Sequence, residues 1–523
     1  MAVAGIVVKV IGSLNWIFVS RVLGGEGIGL YQMAFPIYLL ALSVSSAGIP
    51  VAISIITAEK LALNDMFGAR RVFRISLTLL AITGAVFSLL TYFGAGILVE
   101  YKFIRDPRAY YSVAALAPAI FFVTILSSYR GYLQGWQRMT PTAVSQIIEQ
   151  IFRVVTMIIF ANLLLPKGLE FAAAGASLGA VAGAVAGLLV LIYYYWRLEA
   201  DLKQQPDLPA VSENMEASSS IVKRIFKLAL PVSASSIMLP IVANLDLLIV
   251  PARLEVAGYT VEQATELFGY LTGMAVPLIN LATILTASLA TSLVPAISEA
   301  QALGDRLKVF QRTASAMRIA NLITFPAFML IFLLDSPISQ MIYNAPNAGP
   351  AIGVMSTSIV LLGIHQVTTG VLQGLGHTTI PVINMGIAAI VKVILNWVLT
   401  AVPELGIKGS AWATVADIGV AAIMNMVYVN RYVGYNIAAK DILKTVVATA
   451  VMGVAVFYSY AEIIQDSGSN TVATISAIAV GGIVYSIVLI ITGGIHERDV
   501  SRIPLIGSPL SKFLRITGLF KSI

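Results

Sequence analysis

Apolar runs long enough to cross a lipid bilayer recur along almost the whole of this 523-residue chain. A helix spanning the hydrocarbon core needs about 20 mostly apolar residues. Fourteen such runs lie near 2–22, 31–58, 75–99, 109–133, 142–164, 171–196, 225–252, 267–296, 313–334, 351–374, 379–402, 408–430, 443–464 and 472–494. Between them little charge remains: 11% of residues are Asp, Glu, Lys or Arg, against roughly 25% in a soluble globular chain. A water-soluble enzyme, a disordered protein and a secreted disulfide scaffold are therefore excluded. Cysteine is absent, which removes disulfides, thiolate metal sites and thiol catalysis. The first run is not expected to be a cleavable leader, because no basic segment precedes it and Lys9 sits inside it. The expected fold class is an all-α membrane protein with 14 transmembrane helices.

Lys and Arg in short loops orient such a protein, the cytoplasmic side carrying the excess. Alternate loops, starting with 59–74, hold 23 of the 33 basic residues, and the opposite set holds seven. Both termini are expected in the cytoplasm, with the protein multi-pass in the cell membrane. The net charge of +7 then reflects topology, and no nucleic-acid partner is implied. The polar stretch 197–224 reads as a cytoplasmic linker. It separates an N-terminal lobe, 1–196, from a C-terminal lobe, 225–430, each of six helices. Two further helices occupy 431–494. The tail 495–523, with Arg498, Arg502, Lys512, Arg515 and Lys521 among Ile, Leu and Phe, suits a segment lying on an anionic leaflet.

The two lobes carry an internal repeat. Met33-Ala34-Phe35-Pro36 returns as Met274-Ala275-Val276-Pro277, 241 residues later. Tyr132-Leu133-Gln134-Gly135, followed by Pro141, returns as Val371-Leu372-Gln373-Gly374, followed by Pro381, at 239 to 240. Gly48-Ile49-Pro50 has a looser echo in Leu293-Val294-Pro295. Such an offset covers six helices, so the lobes share one orientation and are expected to be related by a pseudo-two-fold axis along the membrane normal. Two parallel lobes enclose a central cavity that opens to either side by rocking, with the Gly/Pro-broken second and eighth runs as bending points.

A charge in the bilayer core costs at least about 2.5–3.5 kcal/mol on insertion scales and marks a cavity or a partner. Three basic residues belong to neither set of loops and lie inside runs: Lys9, Arg153 and Lys392. Arg153 and Lys392 are 239 apart, so the repeat sets one cation at equal depth in each lobe. Such cations would attract an anionic head group, a phosphate above all. Glu149 lies one turn before Arg153 and offers neutralisation as the plainer reading. Gln134, Gln373, Asn396 and Asp417 are further candidate cavity groups. Asp246 and Asp417 are the candidate partners of Lys392; alternatively Asp246, Asn396, Thr414 and Asp417 supply the hard oxygen ligands of a Na+ or H+ site. Lys9 lies on a small and polar stripe with Gly5, Gly12, Ser13, Trp16 and Ser20, lining a cavity or snorkelling to the interface. His365 and His377 have no acid or second His at useful spacing. No phosphate-binding loop, metal cluster or catalytic arrangement stands out. Neither an enzyme nor a cofactor is expected, and an ion gradient, the membrane potential or the substrate's own gradient drives the work.

Two stretches carry a family likeness. Ser20-Arg21-Val22-Leu23-Gly24-Gly25-Glu26-Gly27-Ile28-Gly29-Leu30-Tyr31-Gln32 continues into MAFPIYLL and then Ser46-Ala47-Gly48-Ile49-Pro50-Val51-Ala52-Ile53-Ser54. Arg130-Gly131-Tyr132-Leu133-Gln134-Gly135 is followed by Met139-Thr140-Pro141-Thr142-Ala143-Val144-Ser145-Gln146 and Glu149-Gln150. Both resemble the stage V sporulation protein B family, in the polysaccharide-exporter branch of the MOP superfamily that also holds lipid II flippases. The resemblance implies a two-lobed, alternating-access fold of fourteen helices. It implies a flippase that moves undecaprenyl-pyrophosphate-linked sugar, here a peptidoglycan or polysaccharide precursor for spore cortex or cell wall. Lys9 stands where lipid II flippases carry a cavity arginine. Asn15, Ser45, Ser46 and Tyr270 stand at or near other basic positions, leaving fewer fixed cations. Asp246 matches the acidic sodium ligand, and Lys392 occupies another ligand position. The expected partners are the lipid-linked sugar, membrane lipids and a cell-wall polymerase, with the chain itself monomeric. The alternatives are a multidrug/cation antiporter of the same superfamily, which needs an embedded acid, and a membrane glycosyl- or acyltransferase, which needs a sizeable outer loop.

Overall fold

The computed structural model describes residues 2–46, 48–203, 216–436 and 439–494. The tail 495–523 and the linker residues 204–215 thus lie outside the described residues. Among these residues the chain is helical throughout and divides into two compact units. Residues 1–274 and 396–407 form the first, and 275–395 with 408–523 the second. The first unit holds α1 (Ala2–Ser46), α2 (Ile49–Ala62), α3 (Met66–Glu100), α4 (Tyr110–Gly135), α5 (Thr140–Leu164), α6 (Leu169–Lys203), α7 (Ser218–Val256) and α8 (Val261–Gly269). The second holds α9 (Val276–Ala282), α10 (Ile284–Ala302), α11 (Arg306–Leu333), α12 (Asp335–Tyr343), α13 (Gly349–Ser356), α14 (Ser358–Gly374), most of α15 (Thr379–Leu399), α16 (Ile407–Val433), α17 (Ala439–Ser467) and α18 (Asn470–Ile491).

Among the described residues eleven helices are long and apolar enough to cross a membrane, or up to 13 if each of two bent pairs is one span. The fourteen runs read from the sequence are interrupted by breaks, in the second and eighth runs where bending was expected and in the tenth where it was not. Gly24 interrupts α1 with φ 65° and ψ −172°, a backbone state that side chains with a Cβ rarely adopt. Gly48 (φ 75°) separates α1 from α2, with Pro50 in the first turn. The run near 267–296 is π-helical over Tyr270–Ala275 and breaks at Thr283. The run near 351–374 bends by 46° between α13 and α14.

Large apolar side chains point outward, among them Phe93 at 71% exposure and Ile390 at 63%, as lipid-facing surfaces require. Small residues bring the helices together instead. On α6, a Cβ added at Gly175, Gly179 or Gly183 would lie 2.6–2.7 Å from the backbone oxygens of Phe160, Arg153 and Glu149 on α5. In the first unit Gly131 and Gly135 of α4 face Pro50 and Thr57 of α2, at 2.6 Å to the Pro50 oxygen. In the second, Gly370 and Gly374 of α14 face Ala290 and Ile297 of α10, at 2.7 Å to the Ala290 oxygen. Each of these contacts recurs at an offset of 239 to 240, the spacing of the sequence repeat.

Candidate functional site

The α4–α5 hairpin of the first unit concentrates charge inside the membrane-spanning region. Arg130 sits in the penultimate turn of α4, and Glu149 and Arg153 share one face of α5 at i,i+4. The Arg130 guanidinium donates to one Glu149 carboxylate oxygen at 2.8 Å, and the Arg153 guanidinium to the other at 2.7 Å. Arg130 also donates to the Ser145 hydroxyl at 3.3 Å. Side-chain exposures are 19%, 13% and 18% for Arg130, Glu149 and Arg153, so the cluster is largely out of water. Glycines on α6 make the position attainable, since Gly183 leaves room for the Glu149 and Arg153 backbone. One carboxylate shared by two guanidiniums leaves a formal charge of +1. The Arg153 Nε is buried without a hydrogen-bond partner among the described residues, and Tyr31 and Tyr38 of α1 lie within its electrostatic reach. A fixed guanidinium donor in a poorly hydrated site suits a phosphate oxygen.

A second polar pair lies elsewhere in the same unit. Asn396 donates to an Asp246 carboxylate oxygen at 2.9 Å, while its own amide oxygen is buried and accepts nothing among the described residues. Two oxygens of this kind suit a hard monovalent cation or a proton. Thr414 and Asp417 belong to α16 of the second unit, where the Thr414 hydroxyl donates to the Ser410 carbonyl at 3.1 Å. No group of three or more His, Asp or Glu side chains able to hold a metal occurs among the described residues.

The other sequence candidates are scattered. Lys392 is buried on α15 of the second unit. Gln134 is half-buried at the end of α4, 3.5 Å from the Thr142 hydroxyl, and Gln373 is exposed at the end of α14. The Lys9 side chain lies outside the described residues. His377 stacks on Tyr432 with ring centroids 4.2 Å apart. Of the positions that the resemblance set beside basic residues, Asn15 donates to the Met157 sulfur at 3.2 Å, Ser45 contacts the Thr124 hydroxyl at 3.1 Å, and Tyr270 donates to Glu266 at 2.5 Å.

Two features escaped the sequence reading. Arg130, at the end of the run 109–133, has no assigned role in the sequence reading, yet it lies within α4 and completes the charge cluster. Gly25-x-x-x-Gly29 on α1 and Gly269-x-x-x-Gly273 across the start of the π-helical turn form reciprocal small-residue faces. A Cβ on Gly29 would strike the Thr265 carbonyl, and one on Gly269 the Gly25 carbonyl. Beside this contact, Arg108 bridges Glu26 and the buried Asp106, both at 2.7 Å, and the Thr265 hydroxyl donates to Asp106 at 2.9 Å. The spacing of the glycines was the available signal.

Comparison with known proteins places this architecture. The family model described as polysaccharide biosynthesis protein matches residues 1–301, and a second model, MatE, matches 271–398. Stage V sporulation protein B of Bacillus subtilis (strain 168) is 31% identical over 506 residues, covering 96% of each chain. Lipid II flippase MurJ of the same organism is 25% identical over 510 residues, covering 91% of each. A solved structure of lipid II flippase MurJ, in an inward closed conformation, superposes with a TM-score of 0.68 at 16% identity, covering 93% of this chain and 97% of that one. At that identity it speaks to the fold alone. The chain is a multi-pass membrane transporter, not an enzyme, and it belongs to the polysaccharide biosynthesis protein family as a stage V sporulation protein B-like member of the MOP superfamily.

Proposed function

We propose that this protein is an alternating-access flippase for an undecaprenyl-pyrophosphate-linked sugar, a peptidoglycan or polysaccharide precursor of cell wall or spore cortex. The observation that carries the reading is the buried Arg130–Glu149–Arg153 cluster with its formal +1 charge. A bilayer tolerates such a surplus where an anionic partner comes to meet it. On this reading Arg130 and Arg153 attract the pyrophosphate, with Lys9, Lys392, Gln134, Gln373, Asn396 and Asp417 as further polar groups along its path. The relatives support the class of cargo: one is named a lipid II flippase and another a sporulation protein. The proposed topology has fourteen crossings, Gly24 separating the first from the second, and both termini in the cytoplasm. The proposed coupling ion is Na+ or H+, held at Asp246 and Asn396 with Thr414 and Asp417.

The half-buried Asp246 also favours a second reading, a multidrug/cation antiporter, since such a carrier needs an embedded acid. Proteoliposomes separate the two. The flippase transfers a labelled lipid-linked sugar between leaflets without chemical change, and Arg130→Gln and Arg153→Gln each slow that transfer severalfold. Efflux of a cationic dye with no leaflet transfer would establish the antiporter instead. Normal transfer in both folded variants would remove the cluster from the mechanism.

A further inference from the structure

The sequence repeat carries one unequal step. In the first copy Glu26-Gly27-Ile28-Gly29 is followed by three residues before Met33-Ala34-Phe35-Pro36. In the second, Glu266-Leu267-Phe268-Gly269 is followed by four before Met274-Ala275-Val276-Pro277. The offset is 240 ahead of the step and 241 after it, so the second copy holds one more residue among Tyr270, Leu271, Thr272 and Gly273. The first copy runs as α-helix through this stretch, while the second is π-helical over Tyr270–Ala275. A π-turn is how a helix takes in one extra residue, and such turns gather at functional sites.

Chemistry and packing both fix this turn. In a π register a carbonyl looks to the N–H five residues ahead, not four. For Thr272 that residue is Pro277, which has no N–H. The buried Gln32 side chain of α1 supplies the donor, with Nε2 at 2.7 Å from the Thr272 oxygen. An α register would give Thr272 the N–H of Val276 instead and make Gln32 unnecessary. Alongside, a Cβ on Gly29 would stand 2.0 Å from the Thr265 oxygen, and one on Gly269 2.1 Å from the Gly25 oxygen. The two contacts are counterparts under the shift of 240, so α1 and α8 meet through equivalent faces. A register change of one residue turns a helix by about 100° and shifts it by about 1.5 Å. It would present Phe268 or Tyr270 where Gly269 now meets α1, and neither fits a contact that admits no Cβ.

We propose that the added residue makes 270–275 a register switch. As a π-turn capped by Gln32 it holds α8 against α1. Relaxed to α-helix it turns Gly269 away, and the two helices part without either one unfolding. The device governs how this contact opens, not what is carried, so it stands apart from the transport reading.

The full chain in cargo-free phospholipid vesicles tests this. It has no cysteine of its own, so an introduced pair reports on the contact alone. A Cβ on Gly273 would lie 2.0 Å from Ile28 Cγ2 and 3.5 Å from Ile28 Cβ. Cysteine in place of Ile28 lacks the clashing atom, and a Cβ–Cβ separation of 3.5 Å is within disulfide range. Ile28→Cys/Gly273→Cys should therefore cross-link on mild oxidation. Kept reduced, the pair should react with N-ethylmaleimide slowly but to completion, as the contact opens. Adding Gln32→Leu should speed that reaction severalfold, and deleting Leu271, which evens the spacing, should abolish the cross-link. Helicity by circular dichroism identifies the folded variants; should the deletion not fold, the Gln32→Leu rate decides. No cross-link in the parent pair, no labelling of it short of denaturation, or an unchanged rate in Gln32→Leu overturns the switch. So does a folded deletion that still cross-links.

Discussion

Replacing Glu149 by Gln removes the one acid between two buried guanidiniums while changing the side-chain volume little. Both ion pairs, at 2.8 and 2.7 Å, are lost together, and the formal charge of the cluster rises from +1 to +2. Removing one partner of a buried pair costs about 3–5 kcal/mol because a charge is left without compensation, whereas an exposed pair contributes about 0–1 kcal/mol. With exposures between 13% and 19% the cluster lies nearer the first case, and a loss of about 3 kcal/mol is expected. The carbonyl oxygen of Gln can accept from one guanidinium, so some of the interaction with Arg130 or Arg153 survives. The decisive comparison is Arg130→Gln/Glu149→Gln, which again leaves a formal charge of +1 and a single buried cation. It should unfold at a higher temperature than Glu149→Gln alone in detergent-solubilised protein. Arg130→Gln by itself keeps the Glu149–Arg153 pair and should cost least of the three. A Glu149→Gln midpoint equal to wild type, or a double variant no better than the single one, would refute the view that uncompensated positive charge is what destabilises the site.

Helix contact and surface charge yield two further expectations. Gly29→Ala, whose new Cβ meets the Thr265 carbonyl, should destabilise by about 1–3 kcal/mol, the range for overpacking; Gly94→Ala, with nothing within 4 Å of its Cβ, should leave the thermal midpoint unchanged or raise it. Outside the membrane, burial raises the proton affinity of Glu216, but hydrogen bonds from Ser220 and Lys60 outweigh it and hold the carboxyl below its usual range. A depressed folded-state value stabilises above the unfolded-state value and stops doing so as pH falls through the folded one. Wild type should therefore lose stability on acidification below the usual carboxylate range by more than Glu216→Gln does, measured as midpoint against pH; identical profiles would show that the Lys60 contact contributes nothing.

Much of this was legible in the sequence for definite reasons. Apolar length announced the helices, and the i,i+4 spacing of Glu149 and Arg153 announced their pairing. Arg130 was not legible in its role, because it meets Glu149 across a hairpin whose turn geometry no periodicity encodes. The gap between the first two runs brackets Gly24 and the eighth run was expected to bend, whereas the bend at Thr357 was hidden because hydropathy counts apolar residues without sensing the direction of the backbone. Asn396 bonds Asp246 directly, a contact that depends on the rotation of α15 and not on its composition.

The internal repeat sharpens what the charge cluster is for. Shifted by 239, Arg130, Ser145, Glu149 and Arg153 correspond to Thr369, Asn384, Ala388 and Lys392. Arg130 meets Ser145 at the α4–α5 joint. In the second unit Asn425 donates to the Thr369 hydroxyl at 3.0 Å and accepts from Asn384 at 2.8 Å. At the same joint these bonds join neutral groups, with both asparagines buried. Packing does not demand a guanidinium there, and buried charge generally contributes less to stability than its desolvation costs. On the proposal above, the charges at Arg130 and Glu149, which have no charged counterpart at Thr369 and Ala388, serve the ligand rather than the packing. A first unit carrying Arg130→Thr, Ser145→Asn and Glu149→Ala, with Asn in place of its α6 counterpart Ala186, should fold at least as well as one lacking Glu149 alone, and should still fail to move the lipid-linked sugar.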